Sequence, residues 1–304
     1  MPCLRKICQH RWVRLQLISL TMAKIGYAQA LGAGTIINAI ATWKGAAFGI
    51  DLKTSAEVRL NESDKVNGKI KEGGNPELIE RCVRLVFERF NQTGGAEVMT
   101  TSEVPIASGL KSSSAAANAT ILATLDALGE NMEPLEAVRL GVQAALDAGV
   151  TITGAFDDAA ASMLGGVVIT DNMSNTLISR DQMESEVIIY APDKKAFSSK
   201  TDVGRSRLIG PWIDVAHELT QLGEYEKAMT LNGFLYSSAL GFSVEPMMMA
   251  LEVGITGVSL SGTGPAYTAL TDGEKADKLI DVWSTLDGKV IKTKINNTGA
   301  EIGR

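Results

Sequence analysis

The chain has 304 residues, 45% hydrophobic and 21% charged, with 29 basic against 35 acidic side chains and a formal net charge of -6. That describes a soluble globular protein of one large or two ordinary domains, long enough to bury a sizeable core. The acidic balance excludes a general polyanion binder, so nucleic acid is not an expected partner. Three cysteines (Cys3, Cys8 and Cys82) complete no disulfide framework. Cys3, Cys8 and His10 lack the second ligand pair a structural zinc needs. Reduced thiols in a cytoplasmic protein follow.

Residues 1–21 hold Arg5, Lys6, Arg11 and Arg14 and no acid. Arg14 and Gln16 break the apolar run of a signal peptide, so the segment reads as an extension outside the fold, with the folded domain starting at Met22. Removing those four basic residues leaves 25 against 35 acids, a net of -10. Ile25 to Trp43 is uncharged for 19 residues. Gln29, Asn38, two threonines and the bracketing Lys24 and Lys44 suit a buried strand–turn–helix unit better than a membrane span. Its helix would open within Gly34 to Thr42.

Ala47 to Leu60 alternates as a strand, and the polar segment Asn61 to Asn75 reads as a turn or hairpin. Pro76 opens a helix whose apolar face carries Leu78, Ile79, Cys82, Val83, Val86 and Phe90. Ala96 to Val104 and Val167 to Thr170 are expected strands; Ser112 to Leu128 and Pro134 to Ala148 are expected helices. A polar stretch, 171–185, separates two halves, which we divide as 22–175 and 176–304. The second half begins with the strand Val187 to Tyr190. Helices over Trp212 to Leu222, Glu224 to Leu240 and Pro246 to Val253 follow, and then the strands Gly257 to Leu260 and Ala266 to Leu270 around a glycine turn. His217, on the first of these helices, reads as ordinary surface or core.

Two nucleotide signatures fail. Gly32-Ala33-Gly34 starts like a dinucleotide fingerprint, but Ile37 stands where the third glycine belongs, and no Walker A loop exists. The informative segment is Pro105-Ile106-Ala107-Ser108-Gly109-Leu110-Lys111-Ser112-Ser113-Ser114-Ala115, where a strand ends in a loop and serines open an alanine-rich helix. Serines at the N-cap and first turn leave backbone N–H groups facing outward at the positive end of the helix dipole, a cradle for phosphate. Lys111 adds a charge, and a serine hydroxyl could ligate Mg²⁺. A capped helix with no ligand is the alternative.

That segment resembles the PxxxGLxSSA loop of the GHMP kinases, the superfamily of galactokinase, homoserine kinase and mevalonate kinase. Gly154-Ala155-Phe156-Asp157-Asp158, followed by Gly165-Gly166, is similar to the stretch carrying the family's catalytic aspartate. Ser259-Leu260-Ser261-Gly262-Thr263-Gly264-Pro265-Ala266 is similar to its C-terminal glycine-rich motif. Gly32 to Asp51 together with the GLKSSSAAANA segment resembles the archaeal-type shikimate kinases within that superfamily. The resemblance implies an α+β fold of two domains, the first like domain 2 of ribosomal protein S5 and the second ferredoxin-like. It also implies ATP and Mg²⁺ as cofactors and phosphorylation of the shikimate 3-hydroxyl. Homoserine kinase, another small-molecule GHMP kinase and a catalytically silent relative are the alternatives.

Carried over by position, Pro105 to Ala115 would wrap the ATP phosphates, with Ser113 a Mg²⁺ ligand and Asp147 an acidic second one. Asp157 or the adjacent Asp158 would act on the acceptor hydroxyl; both acids could instead cap the helix that follows. Lys111 stands where glycine is common, and Thr35 where mevalonate kinases carry lysine, so Lys44 and Lys111 are the candidates for meeting transition-state charge. The shikimate carboxylate calls for a cation, which Arg205 or Arg207 in the polar loop 200–207 could supply. Asn38, Lys44, Asp51, Gly262 and Gly264 complete the substrate candidates.

Overall fold

The structure is a computed structural model that describes residues 24–193 and 202–303. The expected extension 1–21, with Cys3, Cys8 and His10, lies outside the described residues, as do Met22, Lys200 and Thr201.

The uncharged stretch after Lys24 is one strand, β1 (Ile25–Ile37), and a turn leads into β2 (Lys44–Asn61). The two pair antiparallel from Ile25 opposite Arg59 to Ile37 opposite Ala46. No helix opens within Gly34 to Thr42, contrary to the sequence reading. The β-branched run Thr35-Ile36-Ile37 favours the extended chain. The strand is buried on both faces from Ala30 to Ile37, which erases the alternation that marks a half-exposed strand.

Inside the polar segment after Asn61 lies a further strand, β3 (Val66–Ile70), parallel to β4 (Gly95–Ser102). It is the sheet edge, where polar residues are tolerated, so its sequence looks like a loop. The hairpin of β5 (Val167–Asp171) and β6 (Thr176–Asp181) joins the same sheet through β2. Against it pack α1 (Glu77–Phe90), α2 (Ser112–Leu128) and α4 (Phe156–Leu164), and α3 (Pro134–Asp147) packs on these three helices. The α1 face predicted from spacing is buried at Leu78, Ile79, Cys82, Val83 and Val86. Helix α2 is buried nearly all round, as an alanine-rich helix at the centre of a core must be.

The second unit is an antiparallel sheet of β7 (Glu186–Pro192), β8 (Gly257–Leu260), β9 (Tyr267–Thr271) and β10 (Gly288–Lys294), in the order β10-β7-β9-β8. Helices α5 (Val203–Leu208), α6 (Gly210–Gln221), α7 (Tyr225–Leu240), α8 (Glu245–Glu252) and α9 (Gly273–Trp283) accompany it. A cut after residue 175 would split the β5–β6 hairpin, so the change of sheet falls between Asp181 and Glu186. A final strand, β11 (Glu301–Ile302), returns to pair with β1. The two units share a core: Ile36, Phe48, Val104 and Leu110 cluster with Tyr236, Leu260 and Trp283. His217 is buried in α6, and burial lowers its pKa. The mixed α+β architecture agrees with the expectation, and the loops where its two units meet form a cavity.

Candidate active site

The segment between β4 and α2 is held from both sides by backbone hydrogen bonds. Leu110 O accepts from Ala33 N at 3.2 Å, and Ser108 O accepts from Ala266 N at 2.9 Å. Gly109 O accepts from Ser261 Oγ at 2.9 Å. The helix cap differs from the expectation: Lys111, not a serine, is the N-cap of α2, in the left-handed conformation (φ 66°) and with no side-chain capping bond. Ser112, Ser113 and Ser114 form the first turn. Their amides have no hydrogen-bond partner among the described residues, since the first bond of the helix runs from Ala115 N to Lys111 O. All three serines line a cavity of about 380 Å³.

Asp157 and Asp158, in the first turn of α4, line the same cavity. Neither caps the helix; the N-cap is Ala155, also left-handed at φ 52°. Asp157 is 4% exposed, and its Oδ1 accepts from Asn172 Nδ2 at 2.7 Å. Burial, reinforced by the adjacent charge of Asp158, pushes its carboxyl up to about 7. Gly45 on β2 makes room for it, because a β-carbon there would lie 2.6 Å from Asp157 Oδ2. Asp158 has a different partner, Lys111 Nζ, 3.0 Å from its Oδ1.

The C-terminal glycine turn closes the cavity beside these groups. Gly262 N donates to Thr35 Oγ1 at 2.8 Å, and Gly262 O accepts from Asn38 Nδ2 at 2.8 Å. Thr35 is fully buried and serves the turn rather than the cavity. Three segments far apart in sequence therefore meet at one place: the end of β1, the loop before α2, and the turn after β8. An amide cradle beside buried carboxylates suits transfer of an anionic group to a hydroxyl.

Comparison with known proteins agrees with this geometry. Residues 77–166 match the family model described as the GHMP kinases N terminal domain. A shikimate kinase of Methanococcoides burtonii is 63% identical over 284 residues, which cover 91% of this chain and 99% of that protein. A shikimate kinase of Methanosarcina mazei is 60% identical, covering 90% and 96%. The chain belongs to the archaeal-type shikimate kinase family of GHMP kinases. Its fold is that of the superfamily: a homoserine kinase from Cytophaga hutchinsonii superposes with a TM-score of 0.74 at 18% identity, covering 93% of this chain and 98% of that one. The Methanococcus jannaschii mevalonate kinase gives 0.71 at 16%, covering 91% and 100%.

Several residues singled out from the sequence do not line the cavity of this kinase. Asp147, a candidate Mg²⁺ ligand, ends α3 and accepts from Arg81 Nε at 2.7 Å and Gln143 Nε2 at 2.6 Å. The Arg81 guanidinium holds its carboxyl below the usual carboxylate range. Lys44 is paired with Asp214 at 2.8 Å. Asp51 accepts from Asn296 Nδ2 at 2.9 Å. Arg205 and Arg207 are exposed on α5, a short helix capped by Asp202. Gly264 supports the turn from behind, leaving Gly262 and Thr263 in the wall. Of the substrate candidates, Asn38 and Gly262 reach the cavity. Asn172, which the sequence reading left in a polar stretch, hydrogen-bonds Asp157 from behind the cavity wall; its one signal was a polar side chain directly after the apolar strand β5.

Proposed function

We propose that this kinase transfers the γ-phosphoryl group of ATP to the 3-hydroxyl of shikimate, a step of chorismate and aromatic amino acid biosynthesis, in the cytoplasm. The observation that carries the proposal is the single cavity with the free amides of Ser112, Ser113 and Ser114 at one wall and Asp157 at another. The amides and the dipole of α2 bind the phosphates. An apolar wall that includes Ile70, Leu78, Ile79 and Val142 takes the nucleotide base. The acceptor oxygen attacks the γ-phosphorus, the bond to the ADP oxygen breaks, and the hydroxyl proton passes to Asp157. Asn172 holds Asp157 in place through Oδ1.

Mg²⁺ fits these residues as a phosphate-bound ion rather than one caged by protein. Among the described residues there is no cluster of three or more His, Cys, Asp or Glu side chains that could hold a metal. Ser113, in the cavity wall, offers a hydroxyl oxygen, and Mg²⁺ commonly binds through one or two protein oxygens together with phosphates and water. When bound it would neutralise charge on the phosphate oxygens. Ser113→Ala is then expected to raise the Mg²⁺ concentration for half-maximal rate by about tenfold, an effect of the size of a lost charge-assisted oxygen contact. Titration of activity with Mg²⁺ at fixed ATP checks it, and an unchanged midpoint removes Ser113 from the ligand set.

The substrate is tested by ADP release from the purified full-length chain, with ATP and Mg²⁺, given shikimate and homoserine in parallel. Turnover of shikimate at least 100-fold above homoserine is expected, since a site built for hydroxyl hydrogen bonds rejects poor matches by several orders of magnitude (roughly 10⁴). Rapid turnover of homoserine without shikimate overturns the proposal, and turnover of neither favours a silent relative.

A further inference from the structure

The cavity poses an electrostatic problem. ATP and shikimate are both anions, yet the charged side chains lining the cavity are Glu72, Asp157, Asp158 and Lys111. Lys111 is the single cation among them within the described residues.

Three independent observations fix where that cation sits and why. First, Lys111 adopts a left-handed backbone at φ 66° and ψ 32°, which a side chain with a Cβ occupies only at a cost and glycine occupies freely. Such a conformation persists only where the surrounding structure holds it. Second, the side chain is 9% exposed and its ammonium is held 3.0 Å from Asp158 Oδ1, itself on a side chain 13% exposed. A long flexible chain is thereby fixed in one place at little further entropic cost on binding. Third, the ammonium lies over Gly262, where a β-carbon would come within 2.5 Å of Lys111 Nζ. It stands between the first turn of α2, which faces the phosphates, and the first turn of α4, which faces the acceptor.

Resting on the phosphoryl-transfer reading above, we infer that Lys111 is a catalytic residue, the cation for the transferring phosphoryl group, and that Asp158 is its positioning residue rather than the base. Lys111 contacts the γ-phosphoryl oxygens and gains strength as charge spreads over them in the transition state. Asp158 aims the ammonium and prevents it from collapsing onto Asp157. No bond forms to Lys111 and it gives up no proton; it stabilises charge throughout the step.

The test is a double-mutant cycle of Lys111→Gly and Asp158→Asn in the full-length chain, read by turnover and by equilibrium binding of ADP and of the β,γ-imido analogue of ATP. Glycine relieves the left-handed backbone, and the double variant leaves no buried carboxylate unpaired, so a folded protein is available even if a single variant fails. Lys111→Gly is expected to lower kcat roughly 100- to 1,000-fold, the range for a lost transition-state donor. ADP affinity should change by less than about threefold, with the preference for the imido analogue over ADP lost. Asp158→Asn is expected to lower kcat about tenfold, and to add nothing further in the Lys111→Gly background, because residues acting as a unit are not additive. Additive losses, or a larger loss from Asp158→Asn than from Lys111→Gly, would make Asp158 act on the acceptor itself and overturn the assignment. Equal losses of ADP and imido-analogue binding would reduce Lys111 to a nucleotide anchor and overturn it too. If the parent protein turns over no shikimate, the functional reading fails, while the binding preference still decides the place of Lys111.

Discussion

Asp157→Asn is expected to reduce kcat by about 10²–10⁴-fold, the contribution of a positioned general base, while the affinity for nucleotide stays close to that of the parent. The direction follows from the carboxylate's surroundings. Burial and the neighbouring Asp158 raise its pKa to about 7, so it holds a proton less tightly than a hydroxyl but more tightly than an exposed carboxylate. As the proposed base, Asp157 would accept the substrate proton in its ionised form, so kcat/KM of the parent should rise with pH through about 7 and level off above it. The same shift has an opposite consequence for stability. A carboxyl whose folded pKa exceeds its unfolded value favours the folded state while protonated, and that contribution fades as pH rises from near 4 through about 7. Asp157→Asn removes the titrating group, so the variant should lose this fall in thermal stability and gain on the parent above pH 7. Asn172 can still hydrogen-bond the amide, which keeps the geometry in place. Kinetics from pH 5.5 to 9 and melting curves over the same range measure both effects. A variant with parental kcat would move the base elsewhere, and a parental pH-stability curve would show that Asp157 is ionised throughout.

The parts of this site that were legible in the sequence are the local ones. Helix α2 was bounded correctly because its signal is contiguous: a glycine-containing loop, three serines, then alanines. The two aspartates were legible for the same reason, lying next to each other at a helix start. The different partners of the two were not legible, because they come from other elements. Lys111 pairs with Asp158 from another helix, and Thr35 meets Gly262 at a separation of 227 residues. Spacing within a segment carries no information on such contacts. Asp147 lies outside the cavity for the converse reason: its position along the chain was suitable, but Arg81 on α1 pairs with it at the end of α3. The helix expected within Gly34 to Thr42 failed because a strand covered on both faces loses its alternation, and a run of small apolar residues then fits either structure. Edge strands β3 and β6 were hidden by polar residues that face water.

The loop before α2 makes a strong demand on backbone, and a pair of glycine substitutions isolates it. Gly109 and Gly129 both have positive φ, +90° and +74°, and they flank the same helix. A β-carbon at Gly109 would lie 2.1 Å from Ser261 O and 3.1 Å from Gly264 O, whereas at Gly129 it meets nothing within 4 Å. Both variants bear the left-handed cost of about 1 kcal/mol for a residue with a Cβ. Gly109→Ala adds the overpacking term, about 1–3 kcal/mol, because its neighbours are backbone atoms that cannot rotate away. The loop can relieve the clash only by moving off the C-terminal turn, which breaks the Gly109–Ser261 and Ser108–Ala266 hydrogen bonds and swings the amides of the first turn out of register with the phosphates. Gly109→Ala is therefore expected to lower the melting temperature by roughly 5–10 °C, at the 2–4 °C per kcal/mol typical of larger domains. Its KM for ATP should rise at least about tenfold, the equivalent of 1.4 kcal/mol of lost phosphate binding. Gly129→Ala should cost a few degrees and leave both kinetic constants unchanged. Differential scanning fluorimetry and ATP titrations of the two variants side by side decide the matter. Equal behaviour would mean that Gly109 is needed only for its dihedral angle, and that the contact between the phosphate loop and the glycine turn does not hold the cradle in place.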